Sequence, residues 1–274
     1  MNHALMRRRS FHAAALGLLL APPAMAARPA VAPVSDKPRT FVLVHGAWYG
    51  GWCWDAVAQA LRAQGHWVST PTCPGLGEQA HLLSKDISLT TFITSITNHI
   101  LYENLKDVVL VGSGFAGVVI SGVADKIPYL LNKLVFVDAM VLESGLSVFE
   151  AQPAAITKKR IEQAEREGKG IAIPAPPASS YGPLDKQTMA WLGERLTPQP
   201  LGTYQEKLVL NHPLGNGVPR IYLDCTASPF APLVEVKKGL KRQGGWKWIE
   251  INTHHDPMIT EPQLLSDCLA QLAT

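Results

Sequence analysis

Short runs of apolar, mostly β-branched residues recur along this chain, and stretches with helical spacing fall between them. The runs are Thr40–His45 (TFVLVH), His66–Thr70, Asp107–Val111 (DVVLV), Lys133–Asp138 (KLVFVD), Arg220–Cys225 and Trp246–Ile251. Trp52–Gln64, Leu89–Asn104 and Val118–Ala124 carry apolar residues at helical intervals. Runs this short are strands, and several are apolar without a break rather than at every second position. A strand that is apolar on both sides is buried on both faces. Strands of this kind alternating with helices predict an α/β fold, a mostly parallel sheet with helices on both faces. Of the 274 residues, 47% are apolar and 17% charged, which supplies one large core and excludes a disordered chain. Four cysteines are too few to act as a disulfide scaffold at this length.

Residues 1–26 read as an export signal peptide. Arg7, Arg8 and Arg9 form its basic start, and Ala13–Ala21 is an apolar stretch too short to span a bilayer. Ala24-Met25-Ala26 is an A-x-A cleavage site, and Arg8-Arg9-Ser10-Phe11 resembles the twin-arginine signal that exports folded proteins. The expected location is therefore periplasmic or secreted. The signal holds three arginines and no acids, so its removal leaves basic and acidic residues in balance. A balanced chain offers no overall basic excess to a nucleic acid, and no later apolar run reaches membrane-spanning length. Residues 27–39, rich in Pro and Ala, read as a flexible lead-in, and residues 40–274 as one domain. Within it, residues 143–210 break the strand–helix rhythm. They hold a charged helical piece (Lys158–Lys169), a Pro-rich loop (Ile173–Pro177) and further helix-like residues around Met189–Leu196, without a strand pattern. This is expected to be a helical lid over the carboxyl ends of the strands, where open α/β sheets bind ligands.

Three segments that follow strands carry the chemistry. His45-Gly46-Ala47-Trp48 ends the first run. Val111-Gly112-Ser113-Gly114-Phe115-Ala116-Gly117 spans a sharp strand-to-helix turn, and His254-His255-Asp256-Pro257-Met258 follows the last run. A nucleophile elbow reads small-x-nucleophile-x-small-small, because the backbone turns within one residue and the helix packs closely on the strand. Gly112, Ala116 and Gly117 fill the small positions, which puts Gly114 where the nucleophile belongs. Ser113 fits only if the frame shifts by one, and Phe115 would then stand at a small position.

The chain resembles the α/β-hydrolase superfamily, and within it the small esterases that include plant hydroxynitrile lyases, plant methyl-esterases and bacterial relatives. HGAWYGGWCW (45–54), PTCPGLGEQAHL (71–82) and HDPMITEP (255–262) carry the likeness, in that order along the chain. The resemblance implies ester or lactone hydrolysis on a small apolar or aromatic substrate, with no metal or organic cofactor. It implies a serine nucleophile at position 114, His255 as the base, and the N–H groups of Ala47 and Phe115 as the oxyanion hole. His45, Gly46 and Ser113 lie beside these groups in the chain and are expected near the substrate; Trp48 and Tyr49 are aromatic candidates for the pocket, and Trp191 in the lid either faces the substrate or buries the lid. The usual acid would follow Arg220–Cys225, but Cys225-Thr226-Ala227-Ser228 contains none. Asp138, Asp224 and an orienter other than a carboxylate are the alternatives, with Asp138 the best placed. Gly114 leaves two origins open: a Ser→Gly change that traps intact substrate, or a natural loss in a ligand-binding pseudoenzyme. A lyase would need a lysine beside the histidine, and none follows Lys247, which leaves spatial neighbours such as Lys237. Export permits a Cys53–Cys73 bridge, whereas export of an already folded chain does not require one.

Overall fold

The computed structural model describes residues 37–272. The expected signal, residues 1–26, and most of the lead-in lie outside the described residues. The strands are β1 (Thr40–Val44), β2 (Trp67–Ser69), β3 (Val108–Ser113), β4 (Leu131–Val137), β5 (Ala172–Ile173), β6 (Gln199–Pro200), β7 (Arg220–Cys225) and β8 (Lys247–Ile251). Helices α1 (Asp55–Ala63), α2 (Leu89–Tyr102) and α3 (Ala116–Lys126) lie between the early strands. Helices α4 (Val148–Ala151), α5 (Ala154–Arg166), α6 (Lys186–Gly193) and α7 (Gly202–Gln205) occupy the insertion. Helices α8 (Val234–Gln243), α9 (Pro257–Thr260) and α10 (Pro262–Leu272) complete the chain.

Six strands form one sheet in the order β2-β1-β3-β4-β7-β8, and every pairing is parallel. Successive residues divide between the two faces as the two-residue period of a strand requires. Val42, Val44, Leu110, Leu134, Phe136 and Tyr222 pack with residues of α2, α3 and α8. Phe41, Leu43, Val109, Val111, Val135, Val137, Ile221 and Leu223 pack with residues of α1 and α10. Both faces are thus apolar, which is why the sequence shows unbroken runs.

From β1 the chain moves outward to β2 and then returns to β3 on the other side of β1. The order reverses at this point, and the loops after β1 and β3 diverge there to leave a crevice at the carboxyl ends of the strands. The insertion between β4 and β7 enters and leaves at one place. Gly145 N–H donates to Leu208 O at 2.7 Å and Leu208 N–H to Leu146 O at 2.9 Å. The insertion is not wholly helical: β5 and β6 pair antiparallel, two residues each. Segments this short carry no detectable period and cannot be read from sequence.

Candidate active site

β3 ends at Ser113 and α3 begins at Ala116, so the chain reverses within two residues. Gly114 makes the turn with φ +54°. The close approach explains the neighbouring small residues. A Cβ on Gly112 would come within 2.9 Å of Ala116 O, and one on Gly117 within 2.2 Å of Met140 O. Gly114 N–H donates to Val137 O at 3.2 Å and Gly114 O accepts from Met140 N–H at 2.8 Å, which ties the turn to the end of β4. A Cβ built at position 114 would lie 3.4 Å from His255 Nε2 and 3.7 Å from its Cε1. Ser113 pairs with Val137 as the last residue of β3 and is buried in the sheet, one residue before the turn.

His255 follows β8, and its Nδ1 lies 2.7 Å from Asp138 Oδ2. Asp138 immediately follows β4 with φ +42°, a left-handed conformation uncommon for a residue with a side chain. Its other oxygen, Oδ1, forms an ion pair with Lys237 Nζ and accepts from Cys225 N–H at 3.3 Å. Burial pushes the Asp138 carboxyl upward, but the hydrogen bond and charge of His255, with the Lys237 ammonium, outweigh it and hold the group below the ordinary carboxylate value. For His255, burial favours the neutral ring, while the charges of Asp256 and Asp138 and the Asp138 hydrogen bond raise its pKa overall. Asp224, the second carboxylate considered, is not at the histidine. It faces Lys237 Nζ at 2.7 Å, Lys241 Nζ at 3.1 Å and Trp248 Nε1 at 3.3 Å. In the loop after β7, where relatives were expected to hold the acid, Ser228 Oγ is 3.0 Å from His254 Nδ1. The same loop stacks Phe230 on the His255 ring, with centroids 3.7 Å apart and planes within 10°.

The N–H groups of Ala47 and Phe115 flank Gly114, and both residues are buried. Among the described residues, no protein acceptor takes either N–H. Two unpaired backbone donors on adjacent strand ends form the kind of pocket that holds a developing oxyanion. Trp48 fixes the first of these loops in a left-handed turn, φ +68°. Its backbone N–H donates to Gln199 Oε1 at 3.1 Å, its indole N–H to Ile173 O at 3.2 Å, and its carbonyl accepts from Thr197 N–H at 3.0 Å. All three partners belong to the insertion. Left-handed turns at Trp48, Gly114 and Asp138 therefore converge on one site, where backbone strain commonly collects.

A cavity of about 780 Å³ opens over these groups. Gly46, Ala47, Trp48, Tyr49, Gly114, Phe115 and His255 line it, as expected from the sequence. Three residues directed toward the substrate do not. The His45 ring is engaged by Gly46 O and Cys73 N–H. Ser113 is enclosed by the sheet. Trp191 meets Trp52 edge-on at 5.2 Å, beneath the Arg195 guanidinium, and so buries α6 rather than the cavity wall. Sequence reasoning did not single out Phe230, Gln199 or Arg160, and it reached Lys237 only as a possible spatial neighbour of the histidine. Arg160 lines the cavity from α5, with its guanidinium 5.1 Å from the Trp48 ring and 5.2 Å from that of Tyr204. Each comes from an element brought to the site only by tertiary packing. All four cysteines are free thiols, so no Cys53–Cys73 bridge is present.

Comparison with known proteins places this geometry in context. The family model described as "Alpha/beta hydrolase family" matches residues 41–267. The chain is 36% identical to a carbendazim hydrolyzing esterase of Nocardioides sp. (strain SG-4G), over 85% of this chain and 98% of the relative. It is 27% identical to methylesterase 2 of Arabidopsis thaliana, over 85% of this chain and 95% of the relative. Among solved structures it is similar to an extracellular alpha/beta-hydrolase from a Paenibacillus species, described as sharing structural and functional homology with tobacco salicylic acid binding protein 2. That likeness has a TM-score of 0.75 at 27% identity and covers 85% of this chain and 98% of the other.

Proposed function

Because the chain belongs to the alpha/beta hydrolase family, and within it to the esterase type, we propose that its cavity is a serine-esterase site in which Gly114 occupies the nucleophile position. The observation that carries this reading is the line from residue 114 to the histidine. A Cβ there would lie 3.4 Å from His255 Nε2, while Nδ1 is engaged by Asp138 at 2.7 Å. A serine hydroxyl on that Cβ falls within hydrogen-bond reach of Nε2, and Asp138 holds the ring in the tautomer that accepts the proton. The serine would attack the ester carbonyl, the N–H groups of Ala47 and Phe115 would take the charge on oxygen, and His255 would return its proton to the leaving alcohol. Water activated by the same ring would then release the acid.

The cavity wall supports a small apolar or aromatic ester, since Trp48, Tyr49, Phe115, Met140, Tyr204 and Phe230 all face it. The names of the relatives, a carbendazim hydrolyzing esterase and a methylesterase, agree with ester hydrolysis on a small molecule. The lyase alternative has less support, because the Lys237 ammonium is bound between Asp138 and Asp224, on the side of Asp138 away from His255. Residues 1–26 support action outside the cytoplasm, and a secreted product whose sequence begins at Ala27 is the expected outcome of cleavage.

The test is Gly114→Ser, assayed with short aryl and methyl esters at neutral pH. A gain of at least about a thousandfold over the glycine chain is expected, the scale of a nucleophile's contribution in a triad. A folded serine variant with no gain would overturn the esterase reading. In that case, ligand-induced stabilisation of the glycine chain would favour a binding role.

A further inference from the structure

The parts that surround position 114 are complete without a side chain there. His255 Nε2 faces the position, its other nitrogen is held by Asp138, and the donors of Ala47 and Phe115 stand beside it. The nearest atoms to the Cβ direction of Gly114 are His255 Nε2 at 3.4 Å, His255 Cε1 at 3.7 Å and Gly46 Cα at 4.0 Å. With no Cβ at position 114, the space between the Gly114 backbone and His255 Nε2 opens to the cavity, and a water oxygen standing off the backbone there comes within hydrogen-bond reach of Nε2.

We propose that the chain, with glycine at 114, hydrolyses activated esters by direct attack of a water held in this space, without an acyl-enzyme. The proposal rests on the ester-site reading above. In the first step the water oxygen bonds to the carbonyl carbon while one of its protons passes to His255 Nε2. The carbonyl π pair moves onto oxygen, which the N–H groups of Ala47 and Phe115 hold. In the second step that pair returns, the bond from carbon to the leaving oxygen breaks, and the imidazolium proton moves to the departing group. The products are the carboxylic acid and the alcohol, and His255 ends neutral as it began. Asp138 steadies the imidazolium between the two steps.

The chemistry also sets the substrate class. A covalent route divides one difficult displacement into two easier ones, and this route does not. Esters whose leaving group departs readily, such as aryl esters leaving as phenolates, fall within reach of general-base catalysis alone. Unactivated alkyl esters do not.

Four forms of the chain test the proposal: the glycine chain, Gly114→Ala, Gly114→Ser and His255→Ala, each with p-nitrophenyl acetate. The glycine chain is expected to exceed His255→Ala by about a hundredfold, the usual scale of a positioned general base. Gly114→Ala removes no functional atom, but its methyl takes the place of the water, and a loss of at least about tenfold is expected. Gly114→Ser carries the same Cβ on the same left-handed backbone, so its melting temperature and activity show whether the fold tolerates that atom. A stoichiometric burst of nitrophenol and labelling by a fluorophosphonate belong to the serine form only. The inference is overturned if the glycine chain is no faster than His255→Ala, or if a folded Gly114→Ala matches it. An active serine form alongside an inert glycine chain would reject the water route and leave the ester site standing. A folded but inert serine form alongside an active glycine chain would reject residue 114 as a nucleophile position and support the water route at the same ester site.

Discussion

His45 opens the segment proposed to supply one oxyanion donor, yet its ring serves the scaffold. Gly46 O can only accept, so Nδ1 carries the proton in that 2.8 Å contact, and Nε2 accepts from Cys73 N–H at 3.0 Å. One neutral tautomer satisfies both bonds, and a second ring proton would face the Cys73 N–H. Burial accordingly lowers the pKa of His45 to about 4. Between that value and the unfolded value near 6.5, the unfolded chain binds the extra proton and the folded chain does not. The stability contribution is therefore present above pH 6.5 and is lost as the pH falls toward 4. The loss approaches about 3 kcal/mol over the whole window. Denaturant unfolding across this range should show the slope, and His45→Asn, though less stable at neutral pH, should show a smaller one. An unchanged slope in the variant would assign the effect to other groups. Residue-level reading of the sequence succeeded where a motif fixes the backbone. The spacing of Gly112, Ala116 and Gly117 put residue 114 at the turn, and the chain order put His255 after the last strand. His45, Ser113 and Trp191 lie off the cavity wall, since the residue types suit a pocket and only the direction of each side chain, visible in the packed fold, decides.

At the scale of elements, the first strand's loop is held by the lid. Gln199 of β6 accepts the Trp48 N–H and passes its own amide proton to Thr203 Oγ1 at 2.8 Å, all within the protein interior. Gln199→Leu would leave the Trp48 N–H buried without an acceptor, at a cost of about 1–3 kcal/mol. It would also release the left-handed turn that aims the Ala47 donor. In the Gly114→Ser background, a lower melting temperature with a reduced kcat is expected. A variant that loses stability while keeping kcat would show that Gln199 supports the fold without positioning the donor. The inner strands β1, β3 and β4 could be read from sequence because burial on both faces makes each a near-continuous apolar run, while β2, β7 and β8 were legible from shorter apolar runs interrupted by polar residues. The lid's β5 and β6 could not, since two residues have no period, and neither could the contact of Gln199 with Trp48 across about 150 positions of chain. The acid was legible only as a choice. Chain position favours Asp138 over Asp224, but only the side-by-side packing of β4, β7 and β8 shows Asp138 against His255 and Asp224 against the lysines.

Taken whole, the molecule builds its site from one end of a parallel sheet and needs no covalent cross-link to hold it. Cys53, Cys73 and Cys225 are buried thiols, and Cys268 is partly so. Burial raises the pKa of all four, which keeps them in the less reactive protonated form. For a chain proposed to act outside the cytoplasm, the melting temperature should be the same with and without reductant. A drop on reduction would reveal a bridge formed after export.

The hydrogen bonds that join residue 145 to residue 208 have a consequence for how such a protein diversifies. Because the insertion is pinched shut at its base, everything beyond the pinch behaves as an exchangeable cassette. Its length and sequence can drift, or be swapped for that of a relative, without moving the strands that carry the proton chemistry. The exchange has one limit: the three bonds of Trp48 to Gln199, Ile173 and Thr197 would have to be kept or rebuilt by any replacement.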